Sequence, residues 1–159
     1  MAEAAADWED MQSPETYLGY HRSPGFVSPG GSILGRRHPY TAPAPSNVNE
    51  WALAGIWTVG KPSAVLNAAH GRIVFRFHAR DLHLVMAPAV RGVPVKFRVL
   101  IDGRAPGPDH GVDVDPHGSG EVNEPRMYQL IRQATPISDR QFEIEFLDPG
   151  VEVFVFTFG

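Results

Sequence analysis

The sequence contains no cysteine. It therefore forms no disulfide, binds no zinc through thiolate and runs no thiol chemistry of its own. It has no apolar run of eighteen residues, so no membrane-spanning helix is expected. Positive charge is also short: 14 Lys and Arg face 18 Asp and Glu, a formal net charge of −4. That balance argues against nucleic acid as a partner, because phosphate binding needs concentrated cations. The first ten residues lack the basic and apolar regions of a signal peptide. If Met1 is the native start, the protein is expected in the cytoplasm; if the chain is cut from a longer exported protein, it is expected outside it.

What is present is a chain of 159 residues, 43% of them apolar, enough for one domain with a sizeable core. The 16 glycines and 15 prolines are unevenly spread. Between Ser13 and Asn49 they recur as Ser28-Pro29-Gly30-Gly31 and Ala42-Pro43-Ala44-Pro45, which opposes any sustained helix or ladder. The same stretch carries Tyr17, Tyr20, Phe26, Ile33, Leu34 and Tyr40, more large apolar groups than a solvated linker spends. Residues 1–49 are therefore read as an arm packed on the main domain, with a short helix expected over Ala2–Gln12 because Trp8 and Met11 are three apart.

From Glu50 onward the pattern is strands. Ile73, Phe75, Phe77 and Ala79 alternate with Val74, Arg76, His78 and Arg80, the period of a half-buried strand. Similar segments cover Trp51–Val59, Ala64–Leu66, Leu82–Met86, Val93–Ile101, Arg126–Gln133, Arg140–Leu147 and Val151–Phe158, with Asp102-Gly103 and Asp148-Pro149-Gly150 as turns. Residues 50–159 are expected to form an all-β, jelly-roll sandwich of eight or nine strands. Its core should include Trp51, Leu53, Ile73, Phe75, Phe77, Leu84, Phe97, Ile144 and Phe146. The last strand is apolar on both faces, Val151, Val153 and Val155 on one and Phe154, Phe156 and Phe158 on the other. Either the arm covers its outer face or half of it lines an apolar cleft.

Residues able to carry chemistry fall into four groups. Arg76, His78 and Arg80 share one strand face, and Arg98 on a neighbouring strand extends it into a cationic surface suited to hydroxyl and carboxylate groups. This is the expected ligand site. Tyr17, Tyr20, Phe154 and Phe156 are the expected lining of an apolar cleft, should the ligand be apolar. Asp113–Glu124 has much of the spacing of a calcium loop, but His117 stands where an oxygen is needed and both flanks read as strand, so a solvated turn is preferred. Glu143 and Glu145 lie roughly 6.5–7 Å apart along a strand, as acid/base carboxylates do, although any amphipathic strand with two Glu gives this picture. None of the seven histidines has helical i, i+4 spacing to another. No metal site and no cofactor are expected.

Longer motifs carry a resemblance. Ser13-Pro14-Glu15-Thr16-Tyr17-Leu18-Gly19-Tyr20, the runs Trp51–Gly60 and Phe75–Met86, Tyr128–Arg132, Phe142–Val151 and Phe156–Gly159 resemble the C-terminal domain of DipZ-type proteins. These are bacterial thiol-disulfide or cytochrome c biogenesis proteins in which this domain follows a thioredoxin-like domain. The resemblance implies a jelly roll similar to carbohydrate-binding modules, and places the redox cysteines in the other domain. The function it implies is non-catalytic binding of a carbohydrate or small-molecule ligand, with a thioredoxin-like protein as a candidate partner. Two alternatives stand beside it. One is a cofactor-free cyclase or isomerase for an apolar small molecule, by fold analogy, with Glu143, Glu145, His78 or Asp81 as proton donor. The other is a structural domain that forms a homo-oligomer.

Overall fold

Nine strands lie within residues 51–158, one of them inside the Asp113–Glu124 segment that the sequence reads as a solvated turn, and the arm adds two more. The computed structural model describes residues 4–20, 24–134 and 136–159. Its strands are β1 (Thr16–Tyr17), β2 (Arg37–Tyr40), β3 (Trp51–Val59), β4 (Ala64–Leu66), β5 (Gly71–Phe77), β6 (Asp81–Pro88), β7 (Val95–Ile101), β8 (Ser119–Val122), β9 (Arg126–Arg132), β10 (Arg140–Phe146) and β11 (Val151–Phe158). All pairings between these strands are antiparallel. One layer runs β8-β7-β10-β5-β3 and the other β3-β4-β11-β6-β9, so β3 belongs to both.

The layer change happens at a glycine. Residues 51–54 of β3 pair with β5, whereas Gly55 onward pairs with β2 and then β4. Gly55 has φ +103°, and a Cβ there would lie 2.9 Å from the Cα of Gly71. Only glycine takes that corner without strain or collision. The inner faces of the two layers then meet as a jelly-roll β-sandwich. The ring of Phe156 on β11 lies 5.0 Å from Phe75 and 5.8 Å from Phe142 on the opposite layer. Trp57 and Phe146 meet edge to face at 6.1 Å. The nine expected core residues are all buried.

The two-faced apolarity of β11 has a local cause. Its register against β6 slips between Val153 and Val155, a bulge that inserts Phe154 and reverses which side chains point inward. Val151 and Val153 are buried before it and Phe156 after it. Each half of the strand thus has a single buried face, and strict alternation along all eight residues is the expectation that fails.

The arm differs from the sequence reading in two respects. Proline and glycine do not keep it out of the ladders: β1 pairs with β11 and β2 with β3. Both strands are short, and Pro39 is tolerated because β2 pairs on one side. Ser28 also acts as a stand-in rung, its hydroxyl donating to Leu53 O at 2.9 Å and accepting from Leu53 N at 3.0 Å. Leu18 and Tyr40 are buried, and Phe26 packs on Trp51 at 4.7 Å. The second difference concerns the expected helix. Ala2 lies outside the described residues, and residues 4–12 hold a turn over Trp8–Asp10 with no helix. Trp8 is 76% exposed while Met11 packs on the core, so the two share no helical face.

Candidate functional site

A groove of about 310 Å³ opens on the outer surface of β6 and β9, lined by Asp81, His83, Pro108, His110, Gly111, Val112, Gln129, Ile131 and Arg132. Alternation on β6 turns Leu82, Leu84 and Met86 into the core and His83 outward. Across the ladder, Asp81 opposes Arg132, Leu82 opposes Ile131 and His83 opposes Gln129, with a register slip at Leu82/His83. Such a bulge re-aims the side chains that flank it. Thr157 of β11 opposes His83 from the other side, with its hydroxyl 3.4 Å from His83 Nδ1. A row of polar groups, Thr157–His83–Gln129, therefore crosses three strands.

The wall comes from the long loop after β7. It makes a short 3-10 turn at Gly107–Asp109 and then runs beside β9, with Gly111 N donating to Leu130 O at 2.9 Å and Asp113 N to Gln129 O at 3.1 Å. This approach needs glycine: a Cβ on Gly111 would lie 2.3 Å from the Gln129 carbonyl oxygen. Pro108 and Val112 supply an apolar edge, and His110 a ring whose Nδ1 is 2.8 Å from Gly111 O.

The end of the groove is held by charge. Asp81 is 2% exposed and receives Arg132 Nε at 2.8 Å and Nη2 at 3.1 Å, a two-pronged pairing. Arg80 adds Nη2 at 2.9 Å. Burial alone pushes the Asp81 carboxyl up, but hydrogen bonds from Arg132 and Arg80, reinforced by their charges, outweigh it and hold the group below the usual carboxylate range. Asp81 is thus an ionised anchor that fixes the Arg132 guanidinium at the groove rim. A smaller depression of about 150 Å³ adjoins it, sharing Asp81, His83, Gln129 and Arg132 and edged by Ala4 and Ala6 of the arm. Arg80 Nη2 donates to Ala5 O at 2.6 Å, which holds that edge in place.

The residues expected to form one cationic face are separated. Arg76 and His78 both turn to Asp139, at 3.9 Å from Nη2 and 2.7 Å from Nδ1. Arg80 belongs to the Asp81 cluster. Arg98 opposes Glu145, which opposes Arg72, so it lies four residues along from Arg76, roughly 13 Å. Glu143 and Glu145 are paired with Arg72 and His70 at 3.4 Å and 3.1 Å. The expected cleft is likewise dispersed. Phe156 is fully buried, Phe154 is half-buried at the bulge, and Tyr17 and Tyr20 are 48% and 37% exposed. In the Asp113–Glu124 loop, Asp113 binds Arg126 and the Gln129 N–H, while Asp115 accepts the backbone N–H groups of His117 and Ser119. Among the described residues, no three His, Asp or Glu side chains gather as a metal site.

His83, Gln129, Arg132 and His110 are the groove residues that the sequence did not single out as a site. Arg80 and Asp81 were each read from the sequence in other roles, but the partner of Asp81, Arg132, is fifty-one residues further on and only the β6–β9 pairing brings it there.

No curated protein matches the chain. A solved family two carbohydrate esterase from Clostridium thermocellum, in complex with cellohexaose, is similar to it at 14% identity and a TM-score of 0.46. That similarity covers 62% of this chain and 27% of the esterase chain. The family model for the thioredoxin-like C-terminal domain matches residues 13–159, nearly the whole sequence and every strand described above. The chain belongs to the thioredoxin-like C-terminal domain family.

Proposed function

We propose that this domain is a non-catalytic binding module for a carbohydrate or another small polar ligand, and that the ligand sits in the groove between β6, β9 and residues 107–112. The observation that carries the reading is the polar row Thr157–His83–Gln129 beside the apolar edge of Pro108 and Val112. Sugars present hydroxyl edges and weakly apolar ring faces, and a site with one polar side and one apolar side matches both. Two imidazoles and an amide donate and accept hydrogen bonds with hydroxyls without a fixed charge, and Arg132 adds a forked donor at the rim. Its pairing with Asp81 orders that guanidinium before a ligand arrives, which lowers the entropy lost on binding.

The cyclase alternative rests on fold analogy and needs an aromatic cleft, to which Phe156 does not contribute because it fills the core. The test of the binding reading is a glycan array followed by calorimetry with any saccharide retained. His83→Ala and Gln129→Ala should each weaken binding about tenfold or more without changing the melting temperature. An Arg76→Ala/His78→Ala double variant should bind as the parent does. Loss of binding in the double variant alone would move the site to the β5 face, and an empty array would defeat the reading.

A further inference from the structure

We propose that two copies of this chain dock antiparallel, with the Trp8 turn of each seated on a cationic, apolar patch around Arg36, Arg37 and Lys61 of the other. Asp10 N donates to Asp7 O at 3.2 Å, closing a turn whose tip is Trp8 and Glu9. Trp8 is the most exposed large apolar side chain among the described residues, at 76%. Asp7 lies within electrostatic range of Arg80, which leaves the exposed Glu9 and the half-buried Asp10 as the remaining charge of the turn. A tryptophan set among acids on a projecting turn is costly to leave in water and well suited to a cationic partner, through ring burial and cation–π contact.

The complementary patch is built at the end of β3. Leu34 bridges Val59, Gly35 N donates to Val59 O, and Tyr20 N donates to Gly60 O. Arg37 opposes Thr58 on the neighbouring strand. Ile33, Leu34 and Tyr20 are 38%, 40% and 37% exposed. Arg36, Arg37 and Lys61 are exposed and enter no ion pair among the described residues. The acid of the adjoining β11 segment, Glu152, is turned to the Ser63 hydroxyl at 2.5 Å. In a chain of net charge −4, this corner is locally positive and apolar together.

The two surfaces cannot meet within one chain. The Trp8 turn sits past the C-terminal end of β11, where Arg80 holds Ala5 O and Asp81 pairs with Gly159. The patch sits nearer the middle of the strand, where Val59 pairs with Ala64 and Ala64 with Val153. The five residue steps from Val153 to Phe158 put roughly 17 Å between them. Two copies related by a two-fold axis, with their β11 strands antiparallel, bring turn to patch twice and close the assembly at two. The contact area is small, so the dimer is reversible and salt-sensitive.

Sedimentation velocity of the full chain up to about 0.5 mM, at low salt and at about 0.5 M salt, tests this. The expected result is a dimer at low salt that dissociates at high salt. Trp8→Ala and the double variant Arg36→Glu/Arg37→Glu should each weaken it about tenfold or more. Combining Arg36→Glu/Arg37→Glu with Glu9→Arg/Asp10→Arg in one chain should restore it. Trp8, Glu9, Arg36 and Arg37 are exposed and Asp10 is half-buried, and unchanged melting temperatures confirm that folding is intact. Trp51 and Trp57 are fully buried, so fluorescence quenching by acrylamide reports Trp8, and its protection should rise with concentration. A monomer throughout, or a dimer indifferent to these substitutions, overturns the proposal.

Discussion

Replacing Asp81 by Asn keeps the volume and removes the charge that two guanidiniums share. The Asp81 carboxylate receives both Arg132 prongs and Arg80 Nη2 within 3.1 Å. An amide offers one acceptor oxygen, and its NH₂ must face an N–H donor, so at least one arginine loses its partner. Breaking a buried ion pair by removing one member costs about 3–5 kcal/mol. Arg80 and Arg132 keep 23% and 22% of their side-chain surface in solvent, which favours the lower end, about 3 kcal/mol. For a chain of this length that is a drop of roughly 9 °C in melting temperature. Asp81 in the folded protein titrates below its ordinary value, so its contribution is complete above the unfolded pKa of about 3.9 and is lost as pH falls through the lower, folded pKa. Melts followed by circular dichroism should show the full gap at pH 7 and a closing gap below about pH 4. A variant that melts within about 2 °C of the parent at neutral pH, or a gap that stays constant into acid, would show that Asp81 is no such anchor.

Three further outcomes follow from the geometry. Phe156→Ala should cost about 3–5 kcal/mol in urea denaturation, because the ring is fully buried between Phe75 and Phe142; a cost under about 1 kcal/mol would fit a cleft-lining side chain instead. Gly111→Ala forces the loop from β9 and should cost about 1–3 kcal/mol while weakening any groove ligand, with urea melts and calorimetry as the checks; an unchanged crystal structure of the variant would contradict this. Gly55→Val, at φ +103° and against the Gly71 Cα, should destabilise more than Gly111→Ala, since strain and collision act together; equal urea midpoints would contradict it.

Much of the fold was legible because period-two alternation is a direct consequence of strand geometry. Ile73, Phe75 and Phe77 against Val74, Arg76 and His78 give the inward face of β5 without any knowledge of its neighbours. The candidate site was less legible, for reasons that concern pairing. Whether Arg98 joins Arg76 depends on the register of β10 between them, which sets it four residues away. The bulge at Phe154 carries no glycine or proline in the sequence around it, so continuing the alternation through β11 put Phe154 and Phe156 together on one face. Arg132 and Asp81 are ordinary charged residues in the sequence; their conjunction exists only through the β6–β9 ladder. In the arm, Ser28 gave no sign that its hydroxyl would replace a backbone rung at Leu53.

Amide chemical-shift mapping decides where the ligand sits. A ¹⁵N-labelled protein titrated with saccharides retained on the array should show concentration-dependent shifts at His83, His110, Val112, Gln129 and Arg132, with Arg76, His78 and Arg98 unmoved. Shifts confined to the β5 and β7 outer face, or no shifts at saturating saccharide, would contradict the account.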